Sequence, residues 1–177
     1  MKKKPFSEIP CLSGRRVILR GLAEADAEGL RELTKSDAVY RYLPTFLYEK
    51  QYPDVQRVIE GLYTECIRES LILGVFCENR FAGLAEMYGF NDRIHKISVG
   101  YRLLEAFWGK GIASETLGLM VDYLYGETDV EIITASTMVE NRASARVLEK
   151  NGFDLVVEAA DEDWGFGEST KADKWIR

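Results

Sequence analysis

Apolar residues recur along the chain with two periods, and the changes of period mark its elements. In GRRVILRGL they alternate about Val17 and Leu19, a strand pattern, and Ala23, Ala27, Leu30 and Leu33 follow at helical spacing. Ser36 and Asp37 offer side-chain oxygens to free amides, which predicts a short second helix ending near Pro44. Pro53 stands where a first helical turn tolerates it, and Val55, Val58, Ile59, Leu62, Cys66 and Ile67 then form one apolar face. SLILGVFCENRFAGLAEMYGF contains two β-rich runs split by Glu78, Asn79 and Arg80, the spacing of a hairpin loop. HKISVGYRLL reads as the third strand of the same antiparallel meander.

In the second half, Ile112, Ala113, Leu117, Met120, Val121 and Leu124 mark a helix face reaching about Tyr125, and VEIITAST reads as a buried strand. A strand, a helix and a further strand in that order make a crossover, which implies two parallel neighbours. NRASARVLEKNGF puts Ala143, Val147 and Leu148 on a helix face that Asn151 and Gly152 end, because glycine takes the left-handed backbone of a helix stop. FDLVVEA and KADKWIR are two final strands around an acidic loop. There is no internal repeat and no linker, so residues 1–177 are expected to form one domain.

Composition narrows the class. With 46% hydrophobic and 29% charged residues the chain has the makeup of an ordinary globular protein with a packed core. The balance of 23 basic against 29 acidic residues, net −6, lacks the basic stripe of a nucleic-acid binder and suits a small cationic substrate. Lys2, Lys3 and Lys4 resemble the start of a signal peptide, but Pro5, Ser7, Glu8 and Pro10 interrupt the apolar core one needs. No apolar run approaches membrane-spanning length, and a cytoplasmic protein with no membrane partner is expected. Cys11, Cys66 and Cys77 are widely spaced without a C-x-x-C pair, and His95 stands alone, so neither a disulfide framework nor a metal site is indicated. Cys66 and Cys77 read as small core residues, and His95 as a surface turn residue.

The chemistry centres on EAFWGKGIASETL. Gly109 and Gly111 remove side chains where a helix begins, and free amides with the positive end of a helix dipole suit phosphate oxygens. An ordinary strand-to-helix turn would use the same glycines. A Walker loop fails, since Gly111 follows Lys110 where a magnesium-binding hydroxyl must stand. A dinucleotide fingerprint is weak: Glu105, Ala106, Phe107 and Trp108 separate strand from glycine, and Ser114 replaces the last small residue, although Glu131 lies 20 positions beyond Gly111.

WGKGIASETL after VGYRLLEAF resembles the acetyl-CoA pyrophosphate loop, [QR]-x-x-G-x-[GA], of the GNAT superfamily of N-acetyltransferases, with Trp108 at the Gln/Arg position. That replacement is common in the RimJ/RimL-like ribosomal-protein branch. RRVILRGLAEADAEGLREL is similar to the first strand and helix of that branch, and NRASARVLEKNGF matches its N-x-x-S-x-x-V-x-x-K-x-G-F segment.

The resemblance implies an α/β (α+β) fold of three layers. A mixed, mostly antiparallel twisted sheet would lie between helices and open as a V between strands ending near Leu103 and starting near Val130. Acetyl-CoA would lie in the V, with no metal. Backbone amides of Trp108, Gly109, Lys110, Gly111, Ile112 and Ala113 would hold its diphosphate, and Lys110 would add a charge. The strand at Leu103 and Asn141 would contact the pantetheine, and Ser144 would lie near the sulfur. Glu86 would face the acceptor as general base, with Glu158 a second choice, and a solvent-facing carboxylate is the plain alternative. Ser144 would hydrogen-bond the departing thiolate, or simply bond within its helix, since the tyrosine of other branches is Leu148 here.

The branch usually carries an acid where Ser98 stands. Asp161, Glu162 and Asp163 beside Trp164 are either solvated or steer a cationic amine or basic N-terminus. Direct transfer of acetyl to a primary amine, on a small molecule or a protein N-terminus, is the expected reaction. A CoA-binding module without turnover is the alternative, and a dinucleotide-dependent oxidoreductase a remote third. The aromatics Tyr40, Tyr42, Phe46 and Tyr48 suit pocket, core or a homodimer contact equally.

Overall fold

A computed structural model describes all residues, 1–177. The chain opens with β1 (Leu12–Ser13) and β2 (Val17–Arg20), followed by α1 (Ala27–Lys35), α2 (Asp37–Tyr40) and α3 (Val55–Thr64). The meander β3 (Ser70–Cys77), β4 (Arg80–Asn91) and β5 (Lys96–Leu103) comes next. The crossover helix α4 (Ile112–Glu127), β6 (Ile132–Met138), α5 (Arg142–Lys150), β7 (Asp154–Glu162) and β8 (Thr170–Ile176) complete it. The eight strands form one sheet in the order β1-β2-β3-β4-β5-β6-β8-β7, antiparallel throughout except for β5 and β6. One face carries α1, α2 and α3, the other α4 and α5, and 37 buried residues form one continuous core.

Three elements differ from the expectation. The second helix is a single turn that stops at Tyr40, with the Ser36 hydroxyl accepting from the amide of Val39. The third ends at Thr64, and Cys66 falls in a separate 3₁₀ turn, half-buried rather than in the core, whereas Cys77 is buried. Strand β7 runs on to Glu162, so Asp161 and Glu162 stand on a strand and only Asp163 lies in the loop. No helix is long and apolar enough to cross a membrane.

The feature that shapes the molecule is the short parallel seam. Only Lys96, Ile97 and Ser98 pair with Ile132, Ile133 and Thr134. Beyond that point β5 stays with β4 as far as Leu103, while β6 stays with β8 as far as Met138. The two strands therefore diverge as a V. At the last pair the Ser98 and Thr134 hydroxyls bond at 2.9 Å, and opposite Ser98 the β4 register shifts between Tyr88 and Asn91. An extra residue there adds twist and bends the strand, which is the local cause of divergence. Ser98, where the resemblance implied an acid, is thus a pin at the fork of the V.

Candidate active site

A cleft of about 1800 Å³ fills the V, well above an ordinary small-ligand pocket. Its helix α4 end is built from backbone. A 3₁₀ turn, Glu105–Phe107, takes the amide of Trp108 onto the carbonyl of Glu105, so this amide leaves the expected set. The next six amides, Gly109 through Ser114, meet no acceptor within the chain, and the first helical bond of the segment is from Glu115 to Gly111. Gly109 and Gly111 have φ of 67° and 78°, left-handed values that a Cβ disfavours. The expected role of both glycines thus has its geometric requirement.

Neighbouring side chains fix this loop. The Trp108 indole donates to the Leu103 carbonyl at 2.8 Å, and Arg16 donates to the Lys110 carbonyl at 2.9 Å. Glu115 accepts from the amides of Arg16 and Val17, which ties the first turn of α4 to β2; those bonds and the guanidinium outweigh burial and hold its carboxyl below the usual range. The Lys110 ammonium turns back onto the Ala106 carbonyl at 2.7 Å instead of entering the cleft. Its place is taken from α5: Asn151 bonds Ser114, which sets that end of α5 beside the loop, and Arg146 and Lys150 line the cleft. Free amides, left-handed glycines and adjacent cations together fit a diphosphate.

Further along the cleft, Asn141 caps α5 by accepting from the Ser144 amide at 3.2 Å. The Ser144 hydroxyl bonds the Tyr101 hydroxyl at 3.1 Å. Tyr101 comes from β5, so this bond reaches across the V. Burial pushes the Tyr101 phenol up to about 12, so it stays neutral near pH 7. Leu148 is buried beside the cleft, and Tyr101 is the tyrosine that reaches Ser144.

The other face of β5 is built from side chains. Glu86 on β4 lines the cleft, with 14% of its side chain exposed, and its Oε2 accepts from Arg102 at 2.8 Å. Arg102 in turn bonds both oxygens of Glu49. Tyr88, 38% exposed, and the buried Trp164 line this end. Glu158 is exposed and stands away from the cleft, while Glu162 lines it and pairs with Lys174 at 2.5 Å. Asp161 sits on Lys171 at 2.8 Å and Asp163 on the amide of Gly165, so these acids are engaged locally. His95 lies outside the cleft in a turn at φ 48°, its Nδ1 3.5 Å from Asp129. Asp92, Asp129 and His95 converge there, and the Lys4 ammonium sits on both carboxylates.

The comparisons with known proteins meet this geometry. Residues 16–154 match the family model described as an acetyltransferase (GNAT) domain. The chain belongs to the GNAT acetyltransferase family. It is therefore an acyltransferase. A probable N-acetyltransferase, YjcK of Bacillus subtilis, is 30% identical over 80% of this chain and 82% of its own. Among solved structures, Mycobacterium smegmatis RimJ in complex with a CoA-disulfide superposes with a TM-score of 0.83 at 20% identity, covering 98% of this chain and 89% of that one. A Salmonella typhimurium acetyl transferase described as modifying the N-terminal serine of ribosomal protein L7/L12 gives 0.79 at 19%, covering 95% and 98%. At these identities the structures share the GNAT fold with this chain, as the V-shaped sheet already indicated.

Tyr101, Arg102 and Glu49 escaped the sequence reading, whereas Glu162 was expected as one of three acids that are solvated or steer a cation. A signal existed for Arg102, the one charge in the otherwise apolar end GYRLL of a strand. Glu49, next to Lys50 and Gln51 in a polar stretch, had none.

Proposed function

We propose that this acyltransferase moves acetyl from acetyl-CoA to a primary amine by direct attack, without a covalent enzyme intermediate. The run of six free amides at the start of α4, opening into the V, carries the reading. Trp108 stays in the loop through its indole, and Gly109, Lys110, Gly111, Ile112 and Ala113 would offer their amides to the diphosphate. The backbone of β5 near Leu103, and Asn141, would align the pantetheine. Acetyl-CoA, when bound, supplies an activated acyl group with a thiol leaving group.

What the chain must add is proton handling and position. A primary amine with pKa near 10.4 is almost wholly protonated at neutral pH and cannot attack. Glu86 has one oxygen on Arg102, and its other oxygen takes no bond within the chain, so it can accept that proton directly or through water. The Ser144 hydroxyl can donate to the leaving sulfur, and its bond to Tyr101 polarises it for that task. Aligning the reactants in the cleft supplies the larger share of the acceleration. Peptide N-termini are the first acceptors to try, given the description of the Salmonella neighbour, and a cytoplasmic location suits that cosubstrate.

Thiol release from acetyl-CoA against a panel of small amines and short peptides tests the proposal. Turnover with at least one amine is expected. Tight CoA binding with no turnover on any acceptor would leave a CoA-binding module instead.

A further inference from the structure

The most deeply buried charges in the molecule lie beside Glu86. Arg102 is 4% exposed, and its Nε and Nη2 donate to the two oxygens of Glu49 at 2.5 and 2.8 Å. Its remaining nitrogen, Nη1, donates to Glu86. Glu49 is 1% exposed, and Tyr40 adds a bond to its Oε1 at 2.9 Å. Burial, then the Glu49 charge, push the Tyr40 phenol far above its ordinary value, so it stays neutral. Burial opposes the charge on Arg102, yet Glu49 and Glu86 outweigh it and raise its pKa, so the guanidinium stays ionised.

Two carboxylates against one guanidinium leave an excess of one negative charge. Glu49 is sealed beneath the turn Tyr48–Lys50 and uses both oxygens on Arg102, so Glu49 cancels the guanidinium. The excess therefore falls on Glu86, the member of the trio that lines the cleft. Were position 49 neutral, Arg102 and Glu86 would cancel each other and the group would carry no net charge. In a low-dielectric wall that difference is felt strongly. Around it stand exposed or cleft-lining aromatic side chains, Phe46, Tyr88 and Trp164, which would favour an apolar body and attract a cation to their faces.

We propose that Glu49 is a positioning residue that fixes acceptor specificity: by offsetting Arg102 it leaves the trio with one net negative charge, presented to the cleft by Glu86, so the acceptor taken there is an ammonium carried on an apolar or aromatic body. The inference rests on the proposed placing of the acceptor beside Glu86. It adds the residue that sets the charge there and the class of amine that fits.

Calorimetry with phenethylammonium, in the presence of CoA, tests it. Wild-type protein should bind phenethylammonium at least about tenfold more tightly than phenethyl alcohol, a neutral body of the same shape. Absence of that preference overturns the proposal and needs no variant. Glu49→Gln, which keeps the shape and removes the charge, should weaken phenethylammonium about tenfold, with Glu49→Asp recovering most of the loss. The Kd for CoA should change less than about twofold, since its site is built from α4 and α5. A purely structural role would lower Tm while leaving the ammonium-to-alcohol ratio at the wild-type value, and that result overturns the proposal. Glu86→Gln separates the two layers: if it too leaves ammonium binding unchanged, the acceptor does not lie beside Glu86, whereas a loss in Glu86→Gln alone removes only the role of Glu49.

Discussion

Tyr101 and Arg102 are neighbours on one strand and serve opposite halves of the cleft. Alternation sends Tyr101 to the α5 face, where it meets Ser144, and Arg102 to the α2 face, where it meets Glu49 and Glu86. The first half is made mainly of backbone: free amides of a helix start, two left-handed glycines, a capped second helix. The second half is made of side chains drawn from positions far apart in sequence. In the proposed function the diphosphate and its amide-bearing chain would be constant partners, well served by rigid backbone, whereas the acceptor is the part that could vary. Side chains can change without disturbing the strands that carry them.

If that contrast is right, the largest loss comes from spoiling the backbone half. Gly111→Val forces a β-branched residue into a left-handed conformation with its Cβ 3.1 Å from the Arg16 guanidinium, and should raise KM for acetyl-CoA by about a hundredfold with the acceptor KM little changed. An unchanged KM for acetyl-CoA would remove the assignment of the loop. Next in size is the hydroxyl pair that spans the V. Ser144→Ala should lower kcat about thirtyfold and Tyr101→Phe about tenfold, and the double variant should be no worse than Ser144→Ala, because the tyrosine acts through the serine. Additive losses would show that the two act separately.

A smaller effect sharpens the contrast through stability. Glu115→Gln should remove about 1 kcal/mol, read as a lowered Tm at neutral pH. The folded pKa of Glu115 lies below its unfolded value of about 4.5, so this stabilisation is complete above that pH. It is lost as pH falls through the lower folded value, and the gap between wild type and variant should close there. Equal gaps at pH 7 and pH 2.5 would contradict the ionic contribution. Smallest of all, neutralising Asp161, Glu162 and Asp163 together should raise the KM for a cationic acceptor less than about threefold at low salt, because two of them already face lysines. A rise beyond tenfold would restore a steering role.

Legibility in the sequence followed the same division. The helix start at Ile112, the stop at Gly152 and the crossover between β5 and β6 all rest on local signals, namely glycines, caps and changes of period, and each stands where the pattern placed it. The trio on Arg102 joins residues 53 and 16 positions away, and nothing local marks Glu49, beside Lys50 and Gln51, as a buried acid. Lys110 misled for the opposite reason: its charge is obvious in the sequence, but a flexible side chain next to a free carbonyl takes the nearest acceptor. The extension of β7 into the acidic stretch was hidden because β propensity disfavours Asp and Glu, yet pairing of Asp161 with Lys171 and Glu162 with Thr170 carries the strand on.

The fork at Ser98 and Thr134 has a consequence for life in a crowded solution. Splitting a sheet doubles its borders, and each border is a template on which another chain can add a strand and begin to aggregate. At its outer borders this protein defends itself: β1 is only two residues long, and β7 breaks register twice, with Ala159 at φ 49°. The two borders created by the fork carry no such defects. They face one another across the cleft between α4 and α5 on one side and the Glu49 turn on the other, so a foreign strand would have to thread a walled channel rather than lie along a surface. The shape that opens the cleft also keeps its freshly exposed borders away from other chains.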